Sequence, residues 1–141
     1  MGAATLTQLL DLPPIDGPAN LLRLMLHPDL VKPYIEDWEA VARDVVLHAR
    51  RETAPGDEIA QNLIEEVLAY PSVPEDCRDL TLAPAGAPFL TVTFNAGGKR
   101  LSWIITFGMP QDITLQELRI ESFYPANEAT EQAAAELAAN F

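Results

Sequence analysis

The sequence is poor in the residues that most often carry chemistry. Of 141 residues only one is cysteine, Cys77, and two are histidine, His27 and His48. A single cysteine excludes an intrachain disulfide and a thiolate-rich metal site. Basic residues are scarce too. Nine Lys and Arg stand against 21 Asp and Glu, a formal net charge of -12. Such a surface repels phosphate, which argues against nucleic-acid binding by this chain alone. No apolar run is long enough to span a bilayer. Met1 to Ala4 lack the basic and apolar regions of a signal peptide. The expected location is cytoplasmic.

Enzymatic signatures are missing as well. There is no Gly-x-Ser-x-Gly elbow, Walker loop or dinucleotide fingerprint. Gly97-Gly98-Lys99 has strand patterns on both sides and reads as a hairpin tip, not a phosphate loop. The histidines lie in different segments, with no Cys or Asp at ligand spacing, so no metal is expected. Glu36-Asp37 and Glu65-Glu66 read as solvated helix faces. His27 reads as a turn residue, His48 as solvent-facing, and Cys77 as chemically idle. No nucleophile can be nominated, so neither catalysis nor a cofactor is expected.

What is present is ordinary globular material, 48% apolar and 21% charged. The length fits one domain spanning residues 1–141. Leu6, Leu9 and Leu10 form a short helical stripe ended by Pro13-Pro14. Asn20 reads as an N-cap ahead of Leu21, Leu22, Leu24 and Met25, and His27-Pro28-Asp29 breaks that turn. Pro33 suits the first turn of a long helix. Its stripe is Tyr34, Ile35, Trp38, Val41, Ala42, Val45, Val46 and Ala49. Glu36, Asp37 and Glu39 sit near its positive end and Arg50 and Arg51 near its negative end. Glu39 and Arg43 can pair across one turn. Asp57 caps a second helix with the stripe Ile59, Leu63, Val67 and Leu68, and Ala60 and Ile64 beside it.

Residues 71–88 carry Pro71, Pro74, Pro84 and Pro88 and read as a long irregular connection. Strand patterns follow. Phe89 to Ala96 is the first, Gly97-Gly98 the turn, and Leu101, Trp103, Ile105 and Phe107 alternate on the second. A third strand, Leu115 to Tyr124, is expected to bury Leu118, Ile120, Ser122 and Tyr124. Glu117, Arg119 and Glu121 would then face water. Pro125 closes it, and Asn127 caps a final helix carrying Ala133 and Leu137. The order predicts an α+β domain with helices covering one face of an antiparallel sheet of about three strands.

Two stretches are recognisable. Asn20-Leu-Leu-Arg-Leu-Met-Leu-His-Pro-Asp29, with Pro33-Tyr-Ile, Trp38-Glu39 and Arg50-Arg51, resembles the helical half of the MmyB-like ligand-binding domain. Thr106-Phe-Gly-Met-Pro-Gln-Asp-Ile-Thr-Leu-Gln-Glu-Leu-Arg-Ile-Glu-Ser-Phe-Tyr-Pro125, followed by Glu128-Ala-Thr130, resembles its last strands and closing helix. The Ala69-Tyr70-Pro71 step also fits. The resemblance implies a PAS-like domain that binds a small apolar ligand, a fatty acid being the family's best candidate. It implies bacterial transcription control, with an Xre-type helix-turn-helix reading the DNA. This sequence shows no helix-turn-helix. It begins near the segment that in relatives follows a strand hairpin, so an N-terminally truncated domain with an exposed sheet edge is expected.

The resemblance does not assign pocket residues. Apolar facing alone nominates Leu24, Met25, Trp38, Trp103, Ile105, Phe107 and Leu118 as the lining. Arg23, His27 and Arg119 are the polar candidates for an anionic head. The competing expectation is a ligand-free interaction module, either a homodimer or a partner of full-length relatives joined through the strand edge.

Overall fold

A computed structural model describes residues 21–79, 89–108 and 120–139. The expected stripe at Leu6–Leu10, the cap at Asn20 and the strand residues 115–119 lie outside these.

The described chain runs as helix α1 (Leu21–Leu26), a 3-10 turn (Lys32–Tyr34), helix α2 (Trp38–Glu52), helix α3 (Glu58–Leu68) and a second 3-10 turn (Glu75–Arg78). Strands β1 (Phe89–Ala96), β2 (Lys99–Gly108) and β3 (Ile120–Pro125) follow, and then helix α4 (Glu128–Ala139). The strands form one antiparallel sheet in the order β1-β2-β3. The α+β arrangement is therefore the expected one.

The long helix starts later than its periodicity suggests. Pro33 sits in the 3-10 turn, and Ile35 is extended with ψ 128°. Ile35 bridges Phe94 on the outer edge of β1, and the Glu36 N–H donates to the Thr93 carbonyl at 2.9 Å. That pairing pulls residues 35–36 out of helical geometry and closes part of the edge. Asp37 then reverses the chain at φ 50°, in the left-handed region that Asp tolerates better than most residues. Helix α2 follows, burying Val41, Ala42, Val45 and Val46.

In α3 the Asp57 carboxylate accepts from the Ala60 N–H at 2.9 Å, as a cap should. The buried stripe is Ile64, Val67 and Leu68, not the one through Ile59, which is 85% exposed. Ile59 lies five residues before Ile64, about 140° round the helix at 3.6 residues per turn. The segment after α3 is better packed than its prolines suggest. Ser72, Val73 and Cys77 are buried, with the second 3-10 turn between Glu75 and Arg78.

The β1–β2 turn places Gly97 at φ 57° and Gly98 at φ 76°, the conformation of a tight two-residue hairpin. Leu90, Val92 and Phe94 of β1 pair with Ile105, Trp103 and Leu101 of β2, all buried on the face toward the helices. The third strand is shifted by one from the expected facing. Ile105 pairs with Phe123, and Ile104 pairs with Tyr124. Phe123 is therefore buried at 9%, while Tyr124 is 54% exposed on the opposite face. A one-residue slip exchanges the two faces of a strand.

Beyond Pro125, α4 runs beside the first half of β2. The Ala126 N–H donates to the Ser102 carbonyl at 2.8 Å, and the Ser102 N–H donates to Thr130 Oγ1 at 2.9 Å. Asn127 Oδ1 accepts from the N–H and hydroxyl of Thr130, the expected cap.

Candidate functional site

Helix α1 is one and a half turns long, but it divides the nominated residues sharply. Leu24, Met25 and Leu26 are buried at 2% or less, while Arg23 points outward. Leu24 and Met25 join Trp103 and Ile105 in one hydrophobic cluster, which also takes Val92, Phe94 and Phe123 from the sheet. Trp38 packs against that cluster from the start of α2, partly buried. The structure thus brings together five of the seven apolar nominees. Leu118 lies outside the described residues, as does the side chain of Phe107.

The two tryptophans differ in their polar ends. Trp38 Nε1 donates to the Ser72 carbonyl at 2.8 Å, and the Lys32 ammonium lies 5.8 Å from its ring centroid. Ser72 Oγ in turn donates to the Leu26 carbonyl at 2.7 Å. Trp38 is thus the hub of a clamp joining α1, α2 and the segment after α3. Trp103 is 2% exposed, meets Phe123 edge-on at 6.5 Å, and its Nε1–H has no acceptor among the described residues.

The polar nominees form a separate group at the surface. Arg23 donates from Nε and Nη2 to both oxygens of Glu66, at 2.8 and 2.9 Å. That paired hydrogen bond raises the Arg23 pKa and holds the Glu66 carboxyl below its ordinary value. Tyr70 donates to Glu66 at 3.2 Å, and its hydroxyl is pushed up by burial first and by Glu66 second. His27 stacks edge-on against Tyr70 at 5.7 Å, and its Nδ1 accepts from the Asp29 N–H at 3.2 Å. A turn residue is what its sequence context suggests. Arg119 lies outside the described residues.

Other expectations change. His48 is half-buried rather than solvent-facing, and its Nδ1–H donates to the Asp44 carbonyl at 2.9 Å. Glu36 is not a solvated helix position. It accepts from Arg100 at 2.8 to 3.1 Å and from Asn95 at 3.0 Å, tying the start of α2 to the hairpin. Those hydrogen bonds, Arg100 first, lower its pKa. Glu66 is likewise ion-paired. Glu39 and Arg43 meet at 3.4 Å as expected, but the closer partner of Arg43 is Asp76 at 2.8 Å. Burial pushes the Cys77 thiol up, which lowers its reactivity.

A cleft of about 280 Å³ opens between the end of α2 and α3, walled by Arg50, Thr53 and Pro55 on one side and Gln61, Ile64 and Glu65 on the other. None of the nominated residues lines it, and it is small for a ligand with a long apolar body. Among the described residues, no helix is long and apolar enough to cross a membrane.

Sequence reasoning missed Phe123, Ser72 and Tyr70. Phe123 was masked by its charged neighbours, which suggested the wrong facing. Ser72 had no local signal, because its partner Leu26 lies 46 residues away, and the contact that brings Tyr70 into the group is with the distant His27. Only the closing of α3 against α1 makes them part of one group.

The family model for the MmyB-like transcription regulator ligand-binding domain matches residues 1–137. The chain belongs to that family. No curated protein and no solved structure matches it. The match covers nearly the whole chain, so a ligand-sensing regulatory role rests on the chain as a whole and not on one motif.

Proposed function

We propose that this domain is the non-enzymatic sensing unit of a bacterial, cytoplasmic, Xre-type transcription regulator. An apolar small molecule of the fatty-acyl class binds between the helices and the PAS-like sheet, and a separate helix-turn-helix part reads the DNA. The observation that carries this reading is the family match over residues 1–137. The geometry supports it in one respect. Leu24 and Met25 from α1 and Trp103 and Ile105 from β2 meet in one apolar cluster, so an inserted chain would change how the helices pack on the sheet. Arg23 could serve a ligand carboxylate only in competition with Glu66.

Native mass spectrometry of freshly purified protein tests the proposal. Retention of an acyl compound supports it. A ligand-free species that takes up no acyl compound, as a monomer or dimer, sinks it. A second reading, a ligand-free dimerisation module, draws on exposed aromatic residues on the sheet's other face. There Phe89 and Tyr124 are 43% and 54% exposed, and dimer without ligand would favour it.

A further inference from the structure

Among the described residues, the helix-facing side of the sheet holds one polar atom left unmatched. Trp103 Nε1–H is buried on the central strand with no acceptor among the described residues. Buried indole N–H groups normally find a partner. The other buried polar side chains described, Ser72, Ser102 and Thr130, are all hydrogen-bonded. Trp38 is the control within the same chain, its N–H satisfied by Ser72.

The surroundings say what kind of acceptor would suit. Trp103 pairs across the sheet with Val92 and Pro125 and meets the Phe123 ring. No described lysine or arginine is buried. Arg23, Arg43, Lys99 and Arg100 are held at the surface by Glu66, Asp76, Glu136 and Glu36. Among the described residues none offers a buried counter-charge to a carboxylate brought to Trp103, which would therefore be desolvated at large cost. A neutral oxygen would not.

We infer that Trp103 is the polar anchor of the ligand site, donating from Nε1 to a neutral carbonyl oxygen of an acyl compound. The undissociated acid, its ester and its amide all fit, and the ionised acid does not. This rests on the sensing role proposed above and adds a selectivity rule to it.

The chain has two tryptophans, so a proton–nitrogen correlation spectrum of the full chain shows two indole signals. Through-space contact with Phe123 assigns that of Trp103. Saturation with the methyl ester of a long-chain fatty acid should move the Trp103 indole proton downfield and leave Trp38 in place. Affinity for the free acid should fall about tenfold per pH unit above its pKa, while that of the ester stays level. Replacing the indoles by benzothienylalanine, which keeps the ring and removes the N–H, should weaken ester binding about tenfold. Doing so in a Trp38→Phe background confines the change to position 103. Ester binding with an unmoved Trp103 signal overturns the inference. So does equal affinity for ionised acid and ester. If neither compound binds, the sensing role itself fails, and the inference with it.

Discussion

Trp38 and Trp103 are large indoles set against the same apolar cluster from opposite sides. On the helical side, Trp38 is fastened by a chain of named hydrogen bonds, from its N–H to Ser72 and from Ser72 to Leu26. On the sheet side, Trp103 is held by ring contact and by strand pairing, with its N–H left over. The helical side is a structural joint in which the Trp38 N–H and the Ser72 hydroxyl both have acceptors. The sheet side keeps an unused donor inside apolar walls. A fold built only for stability has no reason to retain such a donor, because leaving one unpaired is costly.

The largest effect that would test this contrast lies on the sheet side. Phe94 is fully buried and carries the bridge to Ile35. Phe94→Ala should cost about 3–5 kcal/mol in urea unfolding, a large part of a domain's whole stability. A loss below about 1 kcal/mol would mean the sheet side is not the apolar anchor described.

Next is the helical joint. Ser72→Ala removes a buried donor and leaves the Leu26 carbonyl unmatched, an expected loss of about 1–3 kcal/mol. An unchanged unfolding midpoint would show that the Ser72 hydroxyl bond to Leu26 does not fasten the joint.

Smaller still is the acid response. The Glu66 carboxyl is lowered by Arg23 and Tyr70, and the Glu36 carboxyl by Arg100 and Asn95. A lowered folded value means the ionised carboxyl favours the fold. That contribution is complete above the unfolded value near 4.5 and is lost as pH falls through the lower folded value. Melting temperature should therefore drop below about pH 4.5, and Glu66→Gln should flatten part of that drop. These pairs are solvent-exposed, so the change is modest. An identical acid profile for parent and variant would remove Glu66 from the account. The smallest effect belongs to Ile59, outside both regions. Ile59→Gln should stay within about 0.5 kcal/mol of the parent by the same unfolding measurement.

Much of the fold was legible where the signals were local. Asp57 and Asn127 cap their helices, and Gly97-Gly98 turns the hairpin. Alternation in β2 put Leu101, Trp103 and Ile105 on one face, and all three are buried. The failures fall where a distant partner decides. Residues 35–36 carry helical periodicity but are drawn onto the edge of β1. Phe123 and Tyr124 are both aromatic, and charge alternation favoured the wrong one. The register with β2 settles the matter. The burial of Leu24, Met25, Trp103 and Ile105 was legible because each sits in a regular element whose apolar face is fixed by its period. Arg23 was legible as a cation but not as a partner of Glu66, 43 residues away.

The sequence by itself determined the family, the α+β class and the apolar faces of α2 and of β2. These follow from period, turn chemistry and motif, all of which act within a few residues. Tertiary structure alone decided which polar groups are matched. Whether an indole N–H finds an acceptor depends on what closes over it, and only the packed fold gives Trp38 its acceptor and leaves Trp103 without one among the described residues.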